Sequence, residues 1–170
     1  MVNIEVVLFV VLAVLFVGSG IMVITRRSPV LAVLYLILNF FALAGLYLTL
    51  QAQFIAVIQI IVYAGAIMVL FLFVIMLLNL KDEEKLIEKI TARKVLAVGL
   101  SAAVMFEILY IIWISTPGIE RDVAKAEELG RVEAIGKALF SDFLFPFEVT
   151  SVVLIVAIVG AVILAKKKLD

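Results

Sequence analysis

The stretch FIAVIQIIVYAGAIMVLFLFVIMLLNL, from Phe54 to Leu80, runs 27 residues without an Asp, Glu, Lys or Arg. At the α-helical rise it would be about 40 Å long, more than the roughly 30 Å hydrocarbon core of a bilayer. It must therefore tilt, extend beyond the core or depart from regular geometry. Near its middle, Tyr63-Ala64-Gly65-Ala66 places three minimal side chains beside a phenol. Gly65 weakens a helix by about 1 kcal/mol relative to Ala, so a local distortion is inexpensive there. Two readings of that pattern stand side by side: close helix packing, for which membrane helices favour small residues, and a hinge.

Outward from this run, four further stretches are long and apolar enough to cross a membrane: Ile4 to Ile24, Val30 to Leu50, Val95 to Ile114 and Phe147 to Ala165. The whole chain of 170 residues is 66% hydrophobic and 16% charged, against roughly 45–50% and about 25% in soluble domains. The expected fold is an all-α membrane protein, one membrane domain over residues 1–170 with five transmembrane helices. The first apolar run has about 20 residues rather than the 7–15 of a signal-peptide core and no Lys or Arg before it, so it counts as a retained helix. A charged linker, Lys81 to Lys94, and a longer loop, Ser115 to Pro146, complete the chain. Pro117-Gly118 turns the chain out of the fourth helix. Val132, Ile135 and Leu139 recur at helical spacing in that loop and predict a short amphipathic helix.

Charge counting sets an expected orientation. With the N-terminus outside, the inner face collects ten Lys and Arg (Arg26, Arg27, five between Lys81 and Lys94, and Lys166 to Lys168). The outer face then holds four: Arg121, Lys125, Arg131 and Lys137. The positive-inside rule therefore gives N-out and C-in, with the long loop exterior. The formal net charge is zero, and no basic patch interleaved with aromatics offers a footprint for nucleic acid. The chain has no Cys and no His, which removes thiol nucleophiles, His-based triads and the usual zinc and haem ligands. No catalytic residue and no metal site are expected.

Ionisable groups at membrane depth default to functional candidates. Glu107 sits between Phe106 and Ile108, two-thirds along the fourth helix, with no Lys or Arg within a turn. It reads either as a proton-relay group or as a carboxyl bonded to a neighbouring subunit. Glu148 follows Pro146 and fits the first turn of the fifth helix, where the helix dipole favours an acid by about 0.3–1 kcal/mol. Glu5 reads as a cap of the first helix. Gln59, one turn before Tyr63, and Asn39 in the second helix each require a hydrogen-bond partner in hydrocarbon. Trp113 has the placing of an interface anchor.

Three segments carry a resemblance. Gln59 to Phe71, QIIVYAGAIMVLF, continuing to Met76-Leu77-Leu78-Asn79-Leu80, resembles the third-helix signature of the subunit J and subunit 6 family of proton-translocating NADH:quinone oxidoreductases, the bacterial and mitochondrial complex I. Ser28-Pro29 with Leu34-Tyr35-Leu36 resembles the opening of that family's second helix. Leu139-Phe140-Ser141-Asp142 with Pro146-Phe147-Glu148 and Ser151 resembles the lead into its fifth. The five-helix plan, N-out orientation and long fourth loop also look like the family, so the resemblance covers nearly the whole chain.

The resemblance implies a non-catalytic membrane-arm subunit in the cell (inner) membrane, belonging to a translocase of the respiratory chain. It implies neighbours of the A, H and K types and no iron–sulfur cluster, FMN or quinone on this chain, those groups lying elsewhere in the complex. It implies a π-bulge near Tyr63 to Phe71, with Tyr63, Gly65, Met68 and Phe71 as gate residues whose switching opens a water path for protons. It thereby favours the hinge over simple packing, since π-bulges occur at functional sites. Some relatives have Glu where this chain has Gln59, which leaves hydrogen bonding or water organisation as its role. Gln59, Glu107 and Glu148 are the expected proton-path or water-organising residues, although Glu107 belongs to no shared motif and Glu148 matches the family's Pro-Phe-Glu pattern. The alternatives are a stand-alone ion or proton transporter and a purely structural assembly subunit. Against the transporter stand the single midplane carboxylate, the lack of a positive partner for it and the absence of paired repeats.

Overall fold

A computed structural model of the chain describes residues 4–78, 92–115 and 123–166. Of the linker expected from Lys81 to Lys94, the part up to Thr91 falls outside them, as do the Pro117-Gly118 turn and Lys167-Lys168, whereas Ala92, Arg93 and Lys94 are helical and open the fourth span's helix. The described residues form α1 (Ile4–Thr25), α2 (Pro29–Thr49), α3 (Gln53–Ile58), a π-helical segment (Gln59–Ile67), α4 (Met68–Leu77), α5 (Ala92–Ser115), α6 (Val123–Leu129), α7 (Val132–Phe140) and α8 (Leu144–Ala165). Five spans are long and apolar enough to cross a bilayer, and they are those expected: Ile4–Thr25, Pro29–Thr49, Gln53–Leu77, Leu96–Ile114 and Leu144–Ala165. The third span comprises α3, the π segment and α4 in unbroken succession.

The first two spans form a tight hairpin because small and polar groups let them meet closely. Gly45 of α2 lies against Leu12 of α1, where an added Cβ would stand 2.9 Å from a Leu12 methyl. Asn39 of α2 donates through Nδ2 to the Phe16 carbonyl at 2.6 Å and to the Ser19 hydroxyl at 3.1 Å. Ser19 in turn donates to the Phe16 carbonyl at 3.0 Å. Both side chains are buried, so three polar groups satisfy one another inside hydrocarbon, where such interhelical bonds contribute about 0.6–2 kcal/mol each. At the other end of the hairpin, Arg26 lies 5.4 Å from the centroid of the Tyr35 ring, a cation–π contact of about 0.5–1 kcal/mol. Ser28 precedes α2 in extended conformation with Pro29 as the first helical residue, the position where a missing N–H is harmless.

The turn from α2 into the third span is built without glycine. Gln51 takes φ 62°, while its N–H bonds to the Leu48 carbonyl and that of Ala52 to the Tyr47 carbonyl. This is the Schellman arrangement, with Gln in the left-handed position that Gly usually fills. Gly130, between α6 and α7, approaches so closely that a Cβ there would collide with the Gln51 carbonyl. Its own carbonyl accepts the Phe54 N–H at 3.2 Å, satisfying one of the donors that every helix start leaves open. The short helix predicted from Val132, Ile135 and Leu139 is α7; Ile135 and Leu139 are half-buried, whereas Val132 is exposed.

The last two spans are packed differently. α5 touches no other described element, and α8 touches only α7, through a Phe140–Phe147 edge contact at 5.0 Å. None of either apolar window is buried. The fifth span starts at Leu144, three residues before the expected Phe147. Pro146 is thus its third residue, still among the positions whose N–H has no helical partner. Glu148 is its fifth, and the first turn contains no acid. The expected dipole role for Glu148 is therefore corrected: that effect is confined to the first turn, and the Glu148 position lies beyond it.

Candidate functional site

The site that local structure singles out is the π segment of the third span. Ile60, Ile61 and Val62 are β-branched and lose side-chain freedom in a helix, and Gly65 has little helical preference. Together they lower the cost of leaving the α register. The Met68 N–H bonds to the Tyr63 carbonyl, five residues back instead of four, which is the π pattern. The widened turn brings carbonyl i−5 toward residue i. At Gly65 an added Cβ would stand 3.2 Å from the Ile60 carbonyl oxygen, closer than a side chain normally sits. A glycine therefore occupies the position where the π turn crowds a Cβ.

One edge of the segment is seated on α2 of the hairpin. Gln59 and Ala64 are buried, as is Ala56 one turn earlier. Tyr63 meets Phe40 of α2 edge-on, with ring centroids 5.8 Å apart and planes at 64°. That geometry is worth about 0.5–1.5 kcal/mol beyond area burial. Asn39, the neighbour of Phe40, ties the same stretch of α2 to α1. The chain Ser19, Asn39, Phe40, Tyr63 thus connects three spans. The opposite edge is open: Ile61 is 62% and Leu70 is 66% exposed.

The expected site residues divide into three groups. Gln59, Tyr63 and Gly65 lie within the π segment, and Met68 closes its last π hydrogen bond. Phe71 lies in the regular helix α4, one turn beyond, so the π segment begins before Tyr63 and ends before Phe71. Glu107 in α5 and Glu148 in α8 are exposed and are brought neither to the π segment nor to each other. Among the described residues no three acidic, His or Cys groups converge. The sequence reading missed Ser19 and Phe40. Gly18-Ser19-Gly20, a polar group between glycines in an apolar run, was the available signal for Ser19.

The fold and this site define a class: a multi-pass, all-helical membrane protein whose third span carries a π turn seated against the second helix of a hairpin. Within that class the chain belongs to the family described as NADH-ubiquinone/plastoquinone oxidoreductase chain 6, whose family model matches residues 19–164. It is 38% identical over 166 residues to NAD(P)H-quinone oxidoreductase chain 6 of Nostoc sp., spanning 98% of this chain and 81% of that protein. It is 33% identical over 166 residues to NADH-quinone oxidoreductase subunit J of Rickettsia bellii, spanning 95% and 80%. To NADH-quinone oxidoreductase subunit 10 of Thermus thermophilus it is 41% identical over 150 residues, spanning 87% and 82%.

Proposed function

We propose that the chain is a membrane-arm subunit of a proton-translocating NADH:quinone oxidoreductase, and that its third span is a conformational gate coupling quinone reduction to proton movement. The first part follows from family membership, since the named relatives are subunits of that enzyme complex. On this reading the redox groups, FMN, iron–sulfur clusters and quinone, belong to other subunits. The membrane is the cell inner membrane, with the N-terminus outside, and the neighbours are A-, H- and K-type subunits.

The observation that carries the gate is the π bond from the Met68 N–H to the Tyr63 carbonyl, with Gly65 against the Ile60 carbonyl. Moving each donor from the i−5 to the i−4 acceptor converts the segment to α-helix and rotates everything beyond it relative to α2. That gives two discrete arrangements of one element, which is what coupling between distant sites requires. Tyr63 would exchange its edge contact with Phe40 during the rotation. Gln59, buried at the start of the segment, would organise water or hydrogen bonds and would not carry a proton itself.

Gly65→Val adds a β-branched side chain at the crowded position, and Tyr63→Phe removes the phenol hydroxyl while keeping the ring contact. In vesicles containing the assembled complex, Gly65→Val is expected to lower protons pumped per quinone reduced about tenfold, with complex yield reduced less. Normal pumping with normal quinone reduction in both variants would rule out the gate. Loss of complex yield at unchanged activity per complex would favour an assembly role instead.

A further inference from the structure

Glu107 lies 11 residues from the Leu96 end of the fourth span and 7 from its Ile114 end, about 16 and 10 Å along the helix axis. A glutamate side chain is too short to bring its carboxylate to either interface from there. Among the described residues it makes no hydrogen bond or ion pair, and α5 touches no other described element. Arg26 is engaged by Tyr35 and Arg131 by Glu127, and both lie outside the spans. A carboxyl group facing lipid alkyl chains has neither hydrogen bonds nor counter-charge, and intramembrane acids face a bundle interior where a partner supplies them.

The surroundings of Glu107 on α5 say what shape that cover has. At 100° per residue, Leu96, Leu100, Ile111 and Ile114 stand nearest to Glu107 around the helix, with Ala103, Tyr110 and Gly99 along one flank. Gly99 and Ala103 are spaced four apart and lie one and two turns from Glu107. Small residues at that spacing allow the backbone of a second helix to approach, and a Cβ built on Gly99 meets nothing within 4 Å. An open apolar surface runs from Leu100 and Val104, at the other edge of Glu107, round to Ser101, Met105, Ile108 and Leu109 on the far side of the helix. The small residues flank the acid on one side, where a cation on an approaching helix would supply both hydrogen bonds and counter-charge.

We propose that this face of α5 docks a transmembrane helix of a neighbouring subunit that presents a lysine or arginine to Glu107 at membrane depth. The pair holds the fourth span, whose helix touches no other described element, in the complex. The inference rests on the chain being part of a multisubunit membrane enzyme. That premise is checked separately, by whether the unaltered chain co-purifies with other membrane subunits.

The test uses the assembled complex. A photoreactive benzophenone amino acid at Leu96, on the docking face, is expected to give an adduct with one other subunit, and the same group at Met105 is expected to label lipid. The adduct identifies the partner helix and its cation. Glu107→Gln and Glu107→Leu are each expected to lower intact complex at least fivefold on a native gel, as is neutralising the partner cation. Combining Glu107→Leu with the neutralised cation is expected to restore it to within twofold, since two uncharged groups leave nothing uncompensated. Lipid adducts alone at Leu96, a partner helix without Lys or Arg at that depth, unchanged assembly in the single variants, or failure of the double variant to recover would each overturn the proposal.

Discussion

The first three spans and the last two are all apolar enough to cross a membrane but differ in how they pack within the described chain. All five are long and apolar enough to cross a bilayer, so lipid accommodates both groups. In the first group, buried Ser19, Asn39 and Gln59 and the close approach of Gly45 to Leu12 give each helix a defined place inside the chain. In the second, none of either window is buried and α5 meets no described element. Apolar character puts a helix in the membrane; small residues and paired polar groups decide what it packs against. The π segment lies at the border of the packed block, one edge seated on α2 and the other open.

Substitutions can break this contrast at graded cost. Gly130→Ala is expected to have the largest effect. Its Cβ meets the Gln51 backbone, which cannot swing aside like a side chain, so overpacking should remove about 1–3 kcal/mol and loosen the Phe54 N–H bond at the start of the third span. A lower midpoint in thermal dissociation of the purified complex would register it. Asn39→Leu should come next, removing the bonds to Phe16 and Ser19 for a loss of about 0.6–2 kcal/mol. The readout is the distance between spin labels on α1 and α2, which should broaden. Gln51→Gly should act in the opposite sense and least: relief of the left-handed conformation outweighs the extra freedom of glycine in the unfolded chain by about 0.5 kcal/mol. The same thermal midpoint should rise slightly.

The five spans were legible because uninterrupted apolar runs of this length have one stable outcome in a bilayer. The short amphipathic helix was legible from its 3.6-residue period. Gly65 could be singled out, because glycine in a helix interior is a departure visible in one dimension. The start of the π segment at Gln59 could not, since a register is set by which carbonyl each N–H finds. Ser19 is equally hard to read alone: it is accounted for by Asn39, 20 residues away. The Gln51 turn carries no glycine to announce it. Glu148 was misplaced by one turn because Pro146 fits the third helical position as well as the first.

The central claim is that Gln59 to Ile67 exchanges between two hydrogen-bond registers during turnover. The direct measurement is the backbone structure of this segment in the intact complex, at rest and during steady quinone reduction. The account predicts one population with the Met68 N–H on the Tyr63 carbonyl and a second with it on the Ala64 carbonyl, their ratio changing with turnover. A single π register in every state of a complex that is actively pumping protons would contradict it.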